Sequence, residues 1–357
     1  MRTFLRRLGT AFLFLAVGMC FAPSVVPPFL DRIYYRGPAS GHFDGAHFFN
    51  PEDRLRPPRT TPPARFFNRW LTGDGRAPWP DRVAVTPAVP PRRVDGRRML
   101  VTWIGHSTVL VQTDGLTILT DPIWSERASP FSFAGPRRVR APGVRFEDLP
   151  TVDLVLVSHN HYDHMDLATL KRLWDRDRPL IVTSLGNDAI LRGAGIEARA
   201  GDWGTTIPGP NGAAVTIERV HHWGSRWGVD RNRALWSGFS VRLPGGNIFF
   251  AGDTGWGDGS WPTEAARDGP YRLAILPIGA YLPREIMQPS HMSPEESVAA
   301  FRRLGARTAL GVHWGTFQLT FEGIDDPRRR LSAALARQGV APDRFVATEV
   351  GKPFDVP

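Results

Sequence analysis

The stretch Leu154-Val155-Leu156-Val157-Ser158-His159-Asn160-His161-Tyr162-Asp163-His164 decides the fold. Its first part is a continuous apolar run, as expected of a β-strand that is buried on both faces. Its second part places three histidines and one aspartate within six residues, directly after that strand. The next segment, from Leu167 to Trp174, has the apolar spacing of a helix. A loop between a strand and a helix can aim short side chains at one point, because the scaffold beneath it is rigid.

This histidine-rich loop predicts metal ligands. Alternate residues of an extended chain point the same way, so His159 and His161 can grip one ion, while Asp163 and His164 face a second. Imidazole and carboxylate ligands suit zinc, with iron or manganese as competitors. A structural zinc site normally contains cysteine, and Cys20 is the only cysteine of the chain. A catalytic site is therefore favoured, and the alternative is a surface loop that is merely rich in histidine.

Three further candidate ligands each follow a predicted strand. They are His222, Asp253 and His313. A single histidine after a strand is more often structural, but together with the loop these residues complete a set for two ions. We interpret His106 and His221 as residues that orient the ligands from outside, with a purely structural role as the alternative for each.

His291 is a candidate catalytic residue. It lies in a loop just before the predicted start of a helix at Pro294, with Ser293 as the N-cap. From that place it can protonate a leaving group or bind a phosphate. A structural hydrogen bond in the capping loop is the alternative. Tyr281 and Trp314 can line the substrate cleft, although packing in the core is the simpler interpretation.

The order of predicted elements indicates an α/β fold. Hairpins are predicted around Thr113-Asp114-Gly115 and Pro244-Gly245-Gly246. Each half of the domain continues with strand–helix units, which favours a sandwich of two sheets with helices outside. Further strands are predicted at 99–104, 108–112, 116–120, 180–183, 215–220, 239–243, 248–251, 273–277 and 308–312. Helices are predicted at 294–304 and at 327–338, the latter ended by Gly339.

The N-terminus has the layout of an export signal or membrane anchor. Arg2, Arg6 and Arg7 precede an apolar run from Leu8 to Ala22. We therefore predict a signal peptide or anchor at residues 1–28. In that case the catalytic domain lies on the outer (periplasmic) face of a bacterial membrane. The alternative is a cytoplasmic protein with an apolar N-terminal helix.

Residues 29–95 are predicted to form an extended Pro/Arg-rich arm, which leaves 96–357 as the domain that carries the predicted metal site. Proline pairs such as Pro27-Pro28, Pro57-Pro58 and Pro62-Pro63 argue against long helices there. The chain carries a formal net charge of +9. Residues 54–98 contain eleven arginines and three aspartates, a net +8, so almost all of that charge lies in this segment. Such a segment suggests an anionic partner, either lipid headgroups or nucleic acid.

The order of these residues resembles the metallo-β-lactamase superfamily. The shared pattern is His-x-His-x-Asp-His, a distant His, Gly-Asp-Thr and a late His, and it covers roughly residues 99–338. The resemblance implies a four-layer αββα sandwich with two zinc ions. It assigns His159, His161 and His222 to the first ion, Asp163, His164 and His313 to the second, and Asp253 as the bridge. It also favours His222 over its neighbour His221, because the ligand stands immediately before a tryptophan.

The chain is still more similar to one branch, the N-acylphosphatidylethanolamine-hydrolysing phospholipase D-like enzymes. The shared segments are 102–108, 119–123, 127–130, 158–164, 277–281 and 313–317. This sequence has Ser290 before His291, where that branch carries glutamine, and it adds an apolar N-terminal segment. Both differences leave the substrate open.

The resemblance implies a dinuclear-zinc hydrolase that uses a metal-bridging hydroxide, with Asp163 handling the proton. A phosphodiester is the expected substrate, in the form of an N-acyl phosphatidylethanolamine-like phospholipid, and the N-terminus is expected to associate with membranes. One alternative is a lactone or ester hydrolase that acts on a small molecule, and a non-enzymatic binding module is another. A nuclease is disfavoured, and no nucleic-acid partner is expected. Only 30 residues separate His222 from Asp253, too few for the domain that many nucleases of the superfamily insert there.

Overall fold

The computed structural model describes residues 2–55, 69 and 72–357. Within them, fourteen strands form two seven-stranded sheets. The first sheet has the order β14-β1-β2-β3-β4-β5-β6, with β1 (Met99–Gly105), β2 (Thr108–Thr113), β3 (Leu116–Thr120), β4 (Leu154–Val157), β5 (Leu180–Ser184), β6 (Arg199–Gly201) and β14 (Pro353–Val356). The second has the order β13-β12-β11-β10-β9-β8-β7, with β7 (Thr206–Pro208), β8 (Ala214–Glu218), β9 (Gly238–Arg242), β10 (Asn247–Phe250), β11 (Tyr271–Pro277), β12 (Thr308–Val312) and β13 (Phe345–Val346).

Helices lie outside both sheets, and a further helix, α1 (Arg2–Ile33), precedes the sheets in the chain. The others are α2 (Leu167–Asp177), α3 (Asn187–Gly193), α4 (Trp261–Ala265), α5 (Arg284–Met287), α6 (Pro294–Leu304) and α7 (Asp326–Arg337). Leu170 and Leu173 of α2 pack with Leu191 of α3 against the first sheet. On the other side α6 packs on β11 and against α7. The predicted four-layer αββα sandwich is confirmed.

Each sheet joins an antiparallel half to a parallel half. In the first sheet β1, β2 and β3 pair antiparallel, and β3, β4, β5 and β6 pair parallel. In the second, β10, β11, β12 and β13 pair parallel beside the antiparallel strands β7, β8 and β9. All four residues of β4 are buried, as its apolar run predicts. The carboxyl ends of parallel strands meet at one edge of a sheet, so loops that follow them can build a shared site.

Local signals in the sequence predicted several of these elements. The first hairpin turns at Asp114 and Gly115, whose φ angles of 51° and 69° are those of a tight two-residue turn. Helix α6 begins with a complete capping box, in which Ser293 accepts from the Glu296 amide and the Glu296 side chain accepts from the Ser293 amide. The apolar core lies mainly between the two sheets, where the largest side chains include Trp103, Trp236 and Phe249.

The sequence prediction missed four short strands, β6, β7, β13 and β14, which have two to four residues each. The first three are too short to show a periodic pattern. Strand β14 is as long as β4 but lacks its continuous apolar run, so its pairing with β1 decides that it forms.

The prediction that Pro27-Pro28 prevents a long helix is wrong, because α1 continues to Ile33. A proline inside a helix removes one hydrogen bond to the carbonyl four residues earlier. Pro23, Pro27 and Pro28 lie within about one and a half turns, so the lost bonds are confined to a short part of the helix. The pairs Pro57-Pro58 and Pro62-Pro63 lie outside the described residues.

In residues 2–55, 69 and 72–357, no helix combines the length and the apolar character that crossing a bilayer requires. Helix α1 extends five residues past the predicted end of the signal or anchor at residue 28. The division into residues 1–28, 29–95 and 96–357 stays a prediction.

The described part of the arm packs on the catalytic domain. Tyr34, Phe43 and Phe48 are buried, and the rings of the two phenylalanines lie 4.6 Å apart. Farther along, Val83 and Ala88 form bridges to Arg140 and Val144. The aromatic residues of the arm therefore belong to the folded core.

One buried carboxyl group predicts how stability depends on pH. Glu218 lies 2.5 Å from the Ser240 hydroxyl, which lies 2.6 Å from the Tyr271 hydroxyl, and Tyr271 donates to the Ala265 carbonyl. The Ser240 and Tyr271 hydroxyls supply two protons for these three contacts. All three contacts can therefore be hydrogen bonds only when the Glu218 carboxyl group carries a proton. Burial raises the pKa of Glu218 to about 7, and Ser240 opposes the shift.

Because that pKa lies above its ordinary value, ionisation of Glu218 favours the unfolded chain, and stability falls as the pH rises from 4.5 to 7. Glu218→Gln should therefore raise the free energy of unfolding at pH 8 by about 3 kcal/mol, since the pKa is raised from 4.5 to about 7 and each pKa unit corresponds to roughly 1.4 kcal/mol. At pH 4.5 it should change little. Denaturant unfolding at both pH values measures the difference, and Glu126→Gln on the surface is the control. An equal effect of Glu218→Gln at both pH values would contradict the account.

Candidate metal centre

The structure brings all seven predicted ligands together in one buried cluster between the two sheets. The loop after β4 supplies four of them, and loops after β8, β10 and β12 supply one each. The cluster consists of His159, His161, Asp163, His164, His222, Asp253 and His313. Of these, His161 and Asp163 are partly exposed toward a cleft, and the others are buried. The buried imidazoles and carboxylates therefore face one another in the interior.

The three histidines predicted to hold the first ion place their ring nitrogen atoms close together. The distance from His159 Nε2 to His161 Nδ1 is 2.8 Å, and that from His222 Nε2 to the same Nδ1 is 3.4 Å. Burial lowers the pKa of all three imidazoles, that of His161 to about 3. The rings are therefore neutral, and their lone pairs are available to a cation.

A second group forms around Asp163. Its Oδ2 atom lies 3.4 Å from His164 Nε2 and 3.5 Å from His313 Nε2. Asp253 Oδ2 lies 3.1 Å from His164 Nε2, 3.0 Å from His313 Nε2 and 3.9 Å from His222 Nε2. The Asp253 carboxylate therefore stands between the two groups, which is the position of a bridging ligand.

Charge inside this cluster is balanced locally. Burial alone would raise the pKa values of Asp163 and Asp253, but His164 and its neighbours hold both well below the usual range. Burial would lower the pKa of His313, but Asp253 and Asp163 raise it to about 9. In the absence of a bound cation, protonated His313 and His164 offset the two carboxylates. A metal ion placed there takes over that role and displaces the protons.

The donor set fits divalent cations. Within the described residues, Asp253 Oδ1 is buried without a hydrogen-bond partner. His164 Nε2 and His313 Nε2 are also buried, and they approach Asp253 Oδ2 at ion-pair distance without the geometry of a hydrogen bond. Native proteins rarely leave such atoms unsatisfied, because the lost interaction with water is not replaced. All three atoms belong to predicted ligands, so bound cations account for their arrangement.

Outer contacts fix the orientation of the ligands. Asp121 Oδ2 lies 2.6 Å from His164 Nδ1, and the amide and hydroxyl of Ser158 both donate to Asp121. The Ser158 hydroxyl also contacts His159 Nδ1 at 2.8 Å. On the other side, His222 Nδ1 donates to the Ser290 carbonyl at 2.9 Å. These bonds leave Nε2 of each imidazole directed at the centre.

Sequence reasoning did not identify Asp121 and Ser158 as functional. Asp121 follows β3 as His159 follows β4, so its position at a strand end was an available signal. The pairing of Asp121 with Ser158 could not be predicted, because the sequence does not show that β3 and β4 are parallel neighbours.

His106 lies beside Asp163, as its predicted orienting role requires. Its Nε2 atom is 2.9 Å from Asp163 Oδ2. Its amide donates to the Thr316 hydroxyl, and its carbonyl accepts from the His313 amide. His106, Asp121 and His313 have φ angles of 54°, 33° and 61°, which are unfavourable for residues with a side chain. The surrounding bonds hold these three backbones in place at the site.

His291 faces the centre from the loop before α6. Its Nδ1 atom lies 3.8 Å from Asp253 Oδ2 and, among the described residues, has no hydrogen-bond partner. Burial lowers the pKa of His291 to about 3, so the ring is neutral and carries one N–H donor.

His221 does not contact the predicted ligands through its ring; it contacts Asp53 and the Pro289 carbonyl. Tyr281 and Trp314 are buried, and Trp314 stacks on Trp103, so core packing explains both.

A cleft of about 390 Å³ opens onto the cluster. His161, Asp163, Asp253 and His291 line its floor. Its walls are largely apolar and comprise Ala128, Trp223, Ala280, Ile286, Met287 and Leu319, with Arg231 at one side. A substrate in this cleft therefore meets the carboxylates and imidazoles directly.

Asp121 allows a test of the outer contacts. Asp121→Asn replaces one acceptor oxygen by an NH₂ group, which cannot accept from both Ser158 and His164. The affinity for one of two zinc equivalents should fall roughly 10- to 100-fold, the usual effect of losing such a contact. Competition with a chromophoric chelator measures the affinity. Asp153→Asn, which removes a carboxylate paired with Arg93 elsewhere, is the control, and equal zinc affinities of the two variants would refute the role.

Comparison with known proteins agrees with this geometry. A family model described as a beta-lactamase superfamily domain matches residues 117–314. The chain is 37% identical over 266 residues to N-acyl-phosphatidylethanolamine-hydrolyzing phospholipase D 1 of Caenorhabditis elegans, a match that spans 71% of this chain and 75% of the relative. It is 35% identical over 257 residues to the mitochondrial N-acyl-phosphatidylethanolamine-hydrolyzing phospholipase D of Saccharomyces cerevisiae, which spans 70% of this chain and 54% of that protein.

Among solved structures, an isothiocyanate hydrolase from Delia radicum gut bacteria matches with a TM-score of 0.56 at 22% identity, over 72% of this chain and 98% of that one. This likeness establishes the shared fold. The family match covers more than half of the chain, and the related sequences extend it. The chain therefore belongs to the metallo-β-lactamase superfamily and is a metal-dependent hydrolase.

Proposed function

We propose that the protein hydrolyses a phosphodiester bond of an amphiphilic lipid of the N-acyl phosphatidylethanolamine class, at a centre of two zinc ions. One observation carries the lipid assignment: the cleft at the metal centre adjoins a second, larger cavity rimmed by exposed aromatic side chains. Most of the lining surface of that cavity is apolar, although Glu126, Arg127, Asp166 and Arg226 also line it. The two phospholipase D relatives, which by their names act on this lipid class, support the same assignment.

Two ions suit the two groups of ligands. His159, His161 and His222 would hold one, Asp163, His164 and His313 the other, and Asp253 would contact both. Zinc accepts all of these donors, and iron or manganese are the competing metals. Bound in this way, a pair of divalent cations lowers the pKa of a water molecule and neutralises the charge that develops on a phosphoryl group.

The side chains of the centre divide the remaining work. In the reaction, a water oxygen forms a bond to phosphorus, and the bond from phosphorus to the headgroup oxygen breaks. Asp163, which is ionised and held by His106, is placed to accept the proton of the water. The proton that Asp163 accepts can then pass to the departing headgroup oxygen. The His291 ring is neutral, so it can donate a hydrogen bond to a phosphoryl oxygen, but, contrary to the prediction from the sequence, it has no proton to give to the leaving group. The products are a phosphatidic acid and an N-acylethanolamine.

The cleft offers a recognition site for an anionic diester. The Arg231 guanidinium stacks on the Trp223 ring, 4.0 Å from its centroid. This contact holds a permanent positive charge beside the cleft. Apolar side chains such as Ile286 and Met287 line the same cleft, together with the hydroxyl-bearing residues Tyr162, Ser225, Ser290 and Thr320. An anionic phosphate with apolar substituents matches both features.

The second cavity provides room for an acyl chain. It has a volume of about 560 Å³ and shares Tyr162 with the cleft. Apolar residues of its lining include Pro130, Phe131, Met165, Leu167 and Trp227. Phe131 is 51% exposed and Trp227 59% exposed, and neighbouring Phe133 is 79% exposed. Exposed aromatic rings beside an apolar cavity are typical of sites that take up a lipid from a membrane surface.

We also propose that α1 binds the membrane surface. Its apolar side chains Phe12, Leu13 and Phe14 are each more than 60% exposed, and arginines precede them. A helix of this kind can lie in the interface of an anionic bilayer. Tyr34 follows α1 directly and lines the second cavity. A membrane-bound α1 would therefore bring that cavity to the lipid surface.

A substrate panel tests the catalytic proposal. The zinc-loaded protein should hydrolyse N-acyl phosphatidylethanolamine in mixed micelles with a kcat/KM at least ten-fold above that for an acyl-homoserine lactone or a β-lactam. Asp253→Ala should lose all turnover. Phe131→Ser with Trp227→Ser should raise KM for the lipid but leave hydrolysis of bis(p-nitrophenyl) phosphate unchanged, because that ester needs no acyl site. A faster reaction with the lactone would instead favour the small-molecule ester hydrolase, which the cleft is large enough to serve.

Vesicle cosedimentation tests the role of α1. Phe12→Glu with Phe14→Glu places two charges on the apolar surface of the helix, so binding to vesicles with 30% anionic lipid should fall at least ten-fold. Val89→Glu, which alters an equally exposed residue elsewhere, should bind as the unaltered protein does. Undiminished binding of the α1 variant would show that another surface contacts the membrane.

A further inference from the structure

The segment from Phe48 to Leu55 contacts the chain at His221 and His222, beside the metal centre. Phe48 is buried in the core, and its amide donates to the Asn232 carbonyl. A short 3-10 helix follows at Pro51–Leu55. The segment is remote in sequence from the histidine-rich loop and precedes the residues that the family model matches. It nevertheless contacts a predicted ligand.

Asn50 makes that contact. Its side chain is buried, and Nδ2 donates to the His222 carbonyl at 3.0 Å and to Asp53 Oδ2 at 2.9 Å. Its Oδ1 atom accepts from the Trp236 indole at 3.2 Å. One buried amide thus ties the backbone of His222 to the core and to the 3-10 helix. On the imidazole side, the orientation of His222 depends on the Ser290 carbonyl.

Asp53 reaches the same loop through His221. Asp53 Oδ1 lies 3.0 Å from His221 Nε2, and Glu52 Oε1 lies 3.7 Å from that nitrogen. The other ring nitrogen of His221 is 2.7 Å from the Pro289 carbonyl. Pro289 precedes Ser290, which binds His222, and His291, which faces Asp253. His221 therefore connects the 3-10 helix to the loop 289–291.

We infer that Asn50 and Asp53 are positioning residues of the metal centre, whose own contacts with His222 and His221 set the orientation of the His222 ligand. Asn50 fixes the backbone of His222, and Asp53 acts through His221 on the loop that orients the His222 ring and carries His291. The inference rests on the metal centre and not on the choice of substrate. It also gives His221 the orienting role that the sequence indicated, through a partner that the sequence did not reveal.

A purely structural role of the segment predicts a different pattern, and His42 distinguishes the two. His42 anchors the same arm: its Nε2 atom lies 2.7 Å from Asp202, and its ring stacks on Trp203 at 4.4 Å. Among the described residues, the His42 side chain contacts Asp202, Trp203 and Phe48, none of which is a predicted metal ligand. If docking of the arm merely stabilises the fold, then removing the His42 side chain and removing the Asn50 side chain should have the same effects on stability and on metal affinity.

The test compares Asn50→Ala, Asp53→Ala and His42→Ala in the full-length chain. Zn²⁺ affinity is measured by chelator competition, and the visible absorption of bound Co²⁺ reports ligand geometry. For Asn50→Ala and Asp53→Ala, the affinity for one of two metal equivalents should fall roughly ten-fold, and the Co²⁺ bands should shift. With bis(p-nitrophenyl) phosphate, kcat should fall while KM stays within about two-fold, because neither residue touches substrate.

His42→Ala should lower the unfolding temperature of the metal-free protein yet bind Zn²⁺ as the unaltered protein does. The inference is overturned if Asn50→Ala and Asp53→Ala keep normal affinity, or if His42→Ala weakens metal binding to the same degree. Since Asp53 is partly exposed, its variant is expected to fold even if Asn50→Ala does not. Metal affinity needs no substrate, so this result is independent of the lipid assignment.

Discussion

The negative charge of Asp253, buried among imidazoles, is the constraint on which the rest of the structure depends. Its Oδ2 atom lies within 4 Å of nitrogen atoms of His164, His313, His222 and His291. An ionised carboxylate in the interior is strongly unfavourable unless positive charge accompanies it. Protonated imidazoles can supply that charge, and divalent cations supply more of it. The two sheets therefore meet around a point that requires cations.

The architecture provides that point through the edges of its parallel strands. Loops after β3 and β4 come from one sheet, and loops after β10 and β12 come from the other. Unfavourable backbone angles at His106, Asp121 and His313 occur where these loops converge. Hydrogen bonds from Thr316, Ser158 and the His106 carbonyl hold them there. The strain is local, and the rigid sheets on either side balance it.

Much of this centre could be predicted from the sequence, because its ligands follow apolar strands with a recognisable spacing. His159, His161 and His164 needed only the local pattern, and the capping box at Ser293 needed only four residues. Asp121 and Asn50 could not be assigned, because their roles depend on strand pairing and on a contact across 172 residues. The continuation of α1 through Pro27-Pro28 and four short strands were missed, since local propensity alone does not determine them.

The sequence and the structure determine the metal ligands more firmly than they determine the substrate. The metal ligands are fixed by chemistry that few other arrangements satisfy. The apolar cavity, Arg231 and the exposed aromatic rings are features that vary with small changes in loops. The N-terminal part of the chain contacts both the second cavity and a predicted metal ligand. Helix α1 leads into Tyr34, which lines that cavity, and the chain then reaches Asn50, which contacts His222. The proposed membrane contact and the proposed positioning of the metal ligands thus involve one stretch of chain.

The central claim is that two metal ions occupy this centre, and anomalous diffraction at the zinc edge tests it most directly. Crystals of the protein grown with Zn²⁺ should show two peaks, one among His159, His161 and His222 and one among Asp163, His164 and His313. Asp253 should contact both ions. A single peak, or a second ion held by other residues, would contradict the account.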